Sequence, residues 1–140
     1  MKMKTIHYRL CGLDYIYVKA PVRRDEDGEE YIDLPMGVIE EAIATKLIQA
    51  RVPIRGLEVM FLRKTFGMSL KDWSVEFGLS AAGVMKWEKA PESRLSKVNE
   101  AAVRALSAEK LGLDIDGVWS NLVAKQETPK RLSLKLEDAA

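Results

Sequence analysis

Cysteine and histidine are nearly missing from this sequence of 140 residues, which holds one of each. A lone Cys11 excludes an internal disulfide framework and suits a reducing compartment. His7 and Cys11 together fall short of the four ligands a tetrahedral zinc site needs, so no metal and no cofactor is expected. Runs of about eighteen apolar residues are also lacking, and with them any expected transmembrane helix. The start, Met1-Lys2-Met3-Lys4, is basic, but no apolar signal core follows it, so the chain is read as cytoplasmic. There is no phosphate-cradling glycine loop and no nucleophile elbow. The acidic run Asp25, Glu26, Asp27, Glu29, Glu30 lacks the spacing of a calcium loop and reads as a solvated hairpin tip. An enzyme is therefore not expected.

Charge of one sign is lacking as well, with 22 basic and 21 acidic residues. The excess becomes visible only when the chain is divided. Residues 53–112 carry 10 basic and 7 acidic side chains, whereas both flanking segments are slightly acidic. A local positive excess is a weak pointer to a polyanionic partner.

What is present is a change of period along the chain. Ile6, Tyr8 and Leu10 alternate with polar residues, and Tyr15-Ile16-Tyr17-Val18 is aromatic and β-branched; two short strands are expected, joined by a turn at Gly12-Leu13-Asp14. Tyr31-Ile32-Asp33-Leu34 suits a third strand. Pro35 then opens a helix in which Ile39, Ile43 and Leu47 form one apolar stripe, closed at Val52-Pro53. Short helices are predicted over 56–65, 70–77, 81–89 and from Ser96 to about 111. Ser69, Ser80 and Ser96 serve as N-caps, and Gly67, Gly78 and Gly112 as stops. Val98, Ala102 and Leu106 are read as the inner face of the last of these. One further short helix is expected around Ile115, Val118, Trp119 and Leu122. Leu132-Ser133-Leu134-Lys135-Leu136 alternates and suits an added strand, the other reading being a frayed tail. The expected organisation is a β-rich module with a helix over 1–52, a helical domain over 53–112, and a short helix and tail over 113–140. The fold class is mainly α with a small N-terminal β module.

The stretch from Phe66 to Ala90 carries the functional reading. Two helices of under three turns each are joined by Gly78-Leu79-Ser80, and small Ser74 lets them approach closely. Leu79 is expected to plug the core, with Val84 and Trp87 packing inward. Ala81, Ala82, Met85, Lys86 and Lys89 are then left on the outer face of the second helix. A short helix presenting its N-terminal half outward fits the major groove of duplex DNA.

Three pieces keep the order and spacing of a known pattern: Val59-Met60-Phe61-Leu62-Arg63, Gly67-Met68-Ser69-Leu70-Lys71-Asp72-Trp73-Ser74, and Gly78-Leu79-Ser80-Ala81-Ala82-Gly83-Val84-Met85-Lys86-Trp87-Glu88-Lys89-Ala90. Over about sixty residues the chain resembles the helix-turn-helix transcription regulators of the Cro/repressor type, the XRE class. That resemblance implies a lambda-repressor-like bundle and a dimer binding double-stranded DNA. It makes Arg63, Lys64 and Lys71 phosphate candidates, with Ser69 and Ser80 adding hydroxyls and helix N-termini. Lys86 and the methyls of Ala81 and Ala82 become base-reading candidates. Lys89 and Arg94 are further candidates for the DNA backbone, and Glu88 is implied to pair with a basic neighbour. Two departures are plain: Leu70 stands where the family usually has glutamine, and Ala81, Ala82 and Gly83 stand where polar readers are common.

A β-rich module ahead of this motif also resembles the zinc-finger/helix-turn-helix antitoxins of toxin–antitoxin pairs, although only Cys11 remains of their zinc cysteines. That likeness implies a cognate toxin as partner. The competing reading is a protein-interaction module whose helix-turn-helix no longer touches DNA. Trp73 and Trp87 are read as core, and Trp119 as a residue free to serve a dimer or partner surface.

Overall fold

The computed structural model describes residues 2–136. Among them are six helices and a four-stranded sheet, so the chain is mixed α/β rather than mainly α. The strands are β1 (Lys2–His7), β2 (Ile16–Arg24), β3 (Glu30–Ile32) and β4 (Leu132–Lys135). The helices are α1 (Met36–Gln49), α2 (Gly56–Thr65), α3 (Leu70–Phe77), α4 (Ala81–Lys89), α5 (Lys97–Lys110) and the single turn α6 (Trp119–Leu122). None is long and apolar enough to cross a membrane.

Two compact units divide the chain. One comprises residues up to Ile43 together with those from Pro129 onward, and the other runs from Ala44 to Thr128. Residues 113–140 therefore do not stand apart as a segment: their first part belongs to the helical unit, and β4 belongs to the sheet.

In the sheet unit, β2 is the central strand. It pairs antiparallel with β1 along one edge, from Lys2↔Val22 to His7↔Tyr17. Its other edge is shared between β4, parallel to it at Ile16–Lys19, and β3, antiparallel at Val22–Arg24. Ile16, Val18 and Ala20 are fully buried, the period of two expected of a sheet with one covered face. The strand runs six residues past the expected Val18 and carries a proline. Pro21 is tolerated because it sits where that second edge passes from β4 to β3; its carbonyl still accepts from the Asp33 N–H at 2.8 Å. The acidic run is the β2–β3 hairpin tip, where Asp25 accepts from the N–H groups of Asp27 and Glu29. Leu10, expected in the first strand, lies in the following turn and is exposed.

Helix α1 begins after Pro35, whose carbonyl accepts from Val38 and Ile39, and its stripe Ile39, Ile43, Leu47 is buried. In the helical unit α2, α3 and α4 occupy the spans read from the sequence. The inner face of α5 does not match the expected one. Val98 is exposed, and the buried residues are Glu100, Ala101, Val103, Arg104, Ser107 and Ala108.

The reason is an ionic knot. Glu100 is fully buried and accepts from the backbone N–H of Ile54 (3.1 Å) and Ala124 (2.7 Å) and from Arg94 Nε (2.8 Å). Arg104 lies 3.6 Å from the same carboxylate and donates to the carbonyls of Val52 and Leu122, both at 2.8 Å. One side chain thus ties together the start of α2, the loop before α5 and the segment after α6. Burial is the largest single influence on Glu100 and pushes its pKa up. The hydrogen bonds from Arg94, Ala124 and Ile54 together outweigh it and hold the carboxyl below its ordinary range.

Candidate nucleic-acid interface

Helix α3 starts in a capping box. Ser69 Oγ accepts from the Asp72 N–H at 3.0 Å, and the Asp72 carboxylate accepts from the Ser69 N–H at 3.2 Å. Gly78 ends it with φ of +66°, the left-handed conformation that lets the chain turn at once into α4. Ser80 caps α4, its Oγ accepting from the Gly83 N–H at 3.1 Å. Both serine hydroxyls thus spend an acceptor position on the cap and keep their hydrogen for donation.

The core beneath is aromatic. Phe66 lies against Trp73 (ring centroids 6.1 Å apart), Trp73 against Phe77 (5.2 Å, edge to face) and Phe77 against Trp87 (5.8 Å). Trp73 and Val84 are fully buried, as is Ser74 nearly so, its Oγ donating to the Lys71 carbonyl. Leu79, expected to plug this core, stays 43% exposed, in the turn just beyond Val75, which is 70% exposed.

Across the bundle, Arg63 of α2 grips Glu88 of α4 with two parallel hydrogen bonds of 2.8 Å and donates a third to the Met68 carbonyl at 3.0 Å. The carboxylate raises the guanidinium's pKa, working against burial, which lowers it. Glu88 has the paired, structural place implied for it. Arg63 does not have the place implied for it: its donors face Glu88 and Met68 rather than solvent, so it is not a free phosphate ligand. Arg94 is likewise occupied, by Glu100 and the Ala124 carbonyl. Glu88→Ala is expected to cost about 3 kcal/mol by leaving a nearly buried guanidinium unmatched, read as a lowered urea midpoint.

The other candidates stand differently. Ala81, Ala82, Lys86 and Lys89 are all exposed, and Met85 is half-covered. With Val84 and Glu88 turned inward, the helical period puts Ala82, Lys86 and Lys89 on one outward face, with Ala81 and Met85 at its margin. Lys64 at the end of α2 and Lys71 in the first turn of α3 are also exposed. The face has no carboxylate of its own, since the one acid of α4, Glu88, is sequestered by Arg63. Sequence reasoning missed the exposure of Val75 and Leu79, because local periodicity does not say what a turn leucine meets once the helices are packed. Among the described residues no cluster of His, Cys, Asp and Glu is arranged to hold a metal ion. Comparison of the chain with protein-family models, with curated proteins and with solved structures returns no match.

Proposed function

We propose that the helical unit is a lambda-repressor-like bundle of the Cro/repressor type. In this reading the chain binds double-stranded DNA as a dimeric transcription regulator, a repressor or an autoregulating antitoxin, and is not an enzyme. The observation that carries the proposal is the division of α4. Its inner side is locked by Val84 and the Glu88–Arg63 pair, and its outer side offers two lysines beside small side chains. A helix with that division can lie in the major groove with its backbone close to the bases, because Ala81, Ala82 and Gly83 add little bulk. Lys64 and Lys71 would neutralise phosphates, and Ser69 and Ser80 would donate from the helix N-termini. A dimer would offer two such helices about 34 Å apart, one duplex turn.

Lys86→Ala is expected to weaken binding to a selected duplex by about 1–3 kcal/mol and to relax preference at one base position. Lys71→Ala is expected to weaken all duplexes alike and to reduce the salt slope by about one. Fluorescence anisotropy over a salt series reads both. Equal affinities for wild type and both variants would sink the proposal.

A second reading is favoured by Val75 and Leu79, 70% and 43% exposed beside α4. They suit a protein partner, including a cognate toxin, with DNA uninvolved. Val75→Glu and Lys86→Ala together separate the two: under this reading Val75→Glu abolishes partner capture and no Lys86-dependent duplex binding is found, whereas under the DNA reading Lys86-dependent duplex binding is found and survives Val75→Glu.

A further inference from the structure

We propose that the hollow beside α6 is a binding site for a free nucleoside monophosphate, a ligand that joins a flat aromatic group to a strongly charged anion. The hollow encloses about 500 Å³, the size of an ordinary small-molecule site. Arg94, Lys97 and Lys125 line it together with Trp119, Val123 and Ala124, all within the helical unit. A neighbouring hollow of about 370 Å³ shares Val123 and Lys125 and adds Arg51. Among the described residues, no carboxylate lines either one.

These cations are not matched from within. Arg51, Lys97 and Lys125 are exposed, and none of them has an ion pair among the described residues. Glu100 is shared between Arg94 and Arg104, so one carboxylate meets two guanidinium groups. The surplus is felt in the interior: burial lowers the Arg104 pKa, Glu100 opposes it, and Arg94 and Arg51 lower it further. Arg51 also holds a φ of +53°, just after α1, where glycine would sit without strain. Arg94 is fixed in the wall. Its Nε and Nη2 donate to Glu100 and the Ala124 carbonyl, and its Nη1 has no bond among the described residues. A guanidinium held in that way can take an anion with little further ordering. A phosphate monoester brings about two negative charges and three acceptor oxygens, enough to meet several cations at once.

Trp119 specifies the rest of the ligand. It is 52% exposed at the start of α6, and Val123 and Ala124 are the apolar residues beside it in the lining. A half-exposed indole among cations gives a base a face to stack on while its phosphate meets the basic side chains. None of these residues belongs to α4, and the site does not rest on the duplex reading.

Calorimetric titration of the full chain with adenosine, guanosine, cytidine and uridine monophosphates tests this, with inorganic phosphate, the matching nucleosides and a short single strand alongside. At least one monophosphate should bind saturably, and more tightly than inorganic phosphate or its own nucleoside. Lys97→Ala and Lys125→Ala should each weaken it about tenfold, the loss of one charge-assisted contact, with an unchanged melting temperature. Trp119→Leu should bring the nucleotide down to the affinity of inorganic phosphate. Lys110→Ala, which removes the same charge from the far end of α5, should change nothing. The proposal is overturned if no monophosphate binds at millimolar concentration, if inorganic phosphate binds as well as any of them, or if the folded variants bind like the wild type. Binding of the single strand alone, through these same residues, also overturns it, since the occupant would then be a polymer. Loss of duplex binding in a chain that still takes the nucleotide would count against the DNA reading and not against this one.

Discussion

Glu100→Ala is expected to lower the stability of the helical unit by about 3–5 kcal/mol, enough to leave a domain of ordinary stability largely unfolded in mild urea. The cost comes less from losing attraction than from what is left behind. Arg104, 1% exposed, would keep its charge without a counter-ion, and the amides of Ile54 and Ala124 would lose their acceptor. Glu100→Gln should cost less, because an amide oxygen still accepts from one of the donors. Acid should reproduce part of the effect. The folded pKa of Glu100 lies below its unfolded value, so its contribution is complete above about pH 4.3, the ordinary glutamate value, and is lost as pH falls through the folded pKa. Urea midpoints measured from neutral to acid pH should fall more steeply in the wild type than in Glu100→Gln. Parallel profiles would show that the carboxylate is not what the knot depends on.

Gly56→Ala is expected to destabilise the same unit by about 3 kcal/mol or more, although alanine is the better helix former by about 1 kcal/mol. Gly56 opens α2 where the chain passes the end of α4. A Cβ there would lie 2.1 Å from the Trp87 carbonyl oxygen, 2.8 Å from that of Ala90 and 3.0 Å from the Pro91 Cα. All three are backbone atoms, and the neighbouring bonds hold them in place: the Gly56 N–H donates to Ser93 and the Leu57 N–H to Pro91. The substitution therefore forces α2 away from α4 and lengthens or breaks the Arg63–Glu88 pair that fixes the outward face. Thermal unfolding with the Gly83→Ala variant alongside checks this. A Cβ at Gly83, inside α4, meets nothing closer than the Ser80 Oγ at 3.4 Å, so that variant should hold or raise the melting temperature. Equal melting temperatures for Gly56→Ala and the wild type would contradict the packing account.

The helical unit was legible to the extent that its signals are local. Serine caps, glycine stops and apolar spacing placed α2, α3 and α4, because each signal acts within a turn or two of the residue that carries it. The same signals found the outward Ala82, Lys86 and Lys89. What was not legible depends on residues far apart in the chain. Arg63 looks like a surface cation until Glu88, 25 positions later, is seen to hold it. Arg94 looks free until Glu100 and Ala124 are placed beside it. Val98 was read as inward because an apolar pattern cannot register that α5 turns a glutamate and an arginine to the interior. The path of β2 through Pro21 and its parallel pairing with β4 also follow from strand order, which no single segment states.

The most direct test of the DNA reading is a salt titration of full-length protein binding to the duplex upstream of its own coding sequence, with random duplex of equal length beside it and Lys86→Ala run in parallel. The account predicts tighter binding to the upstream duplex, affinity falling steeply as salt rises, and loss of the preference in Lys86→Ala. No binding to either duplex at low salt, by protein whose fold is intact, would contradict it.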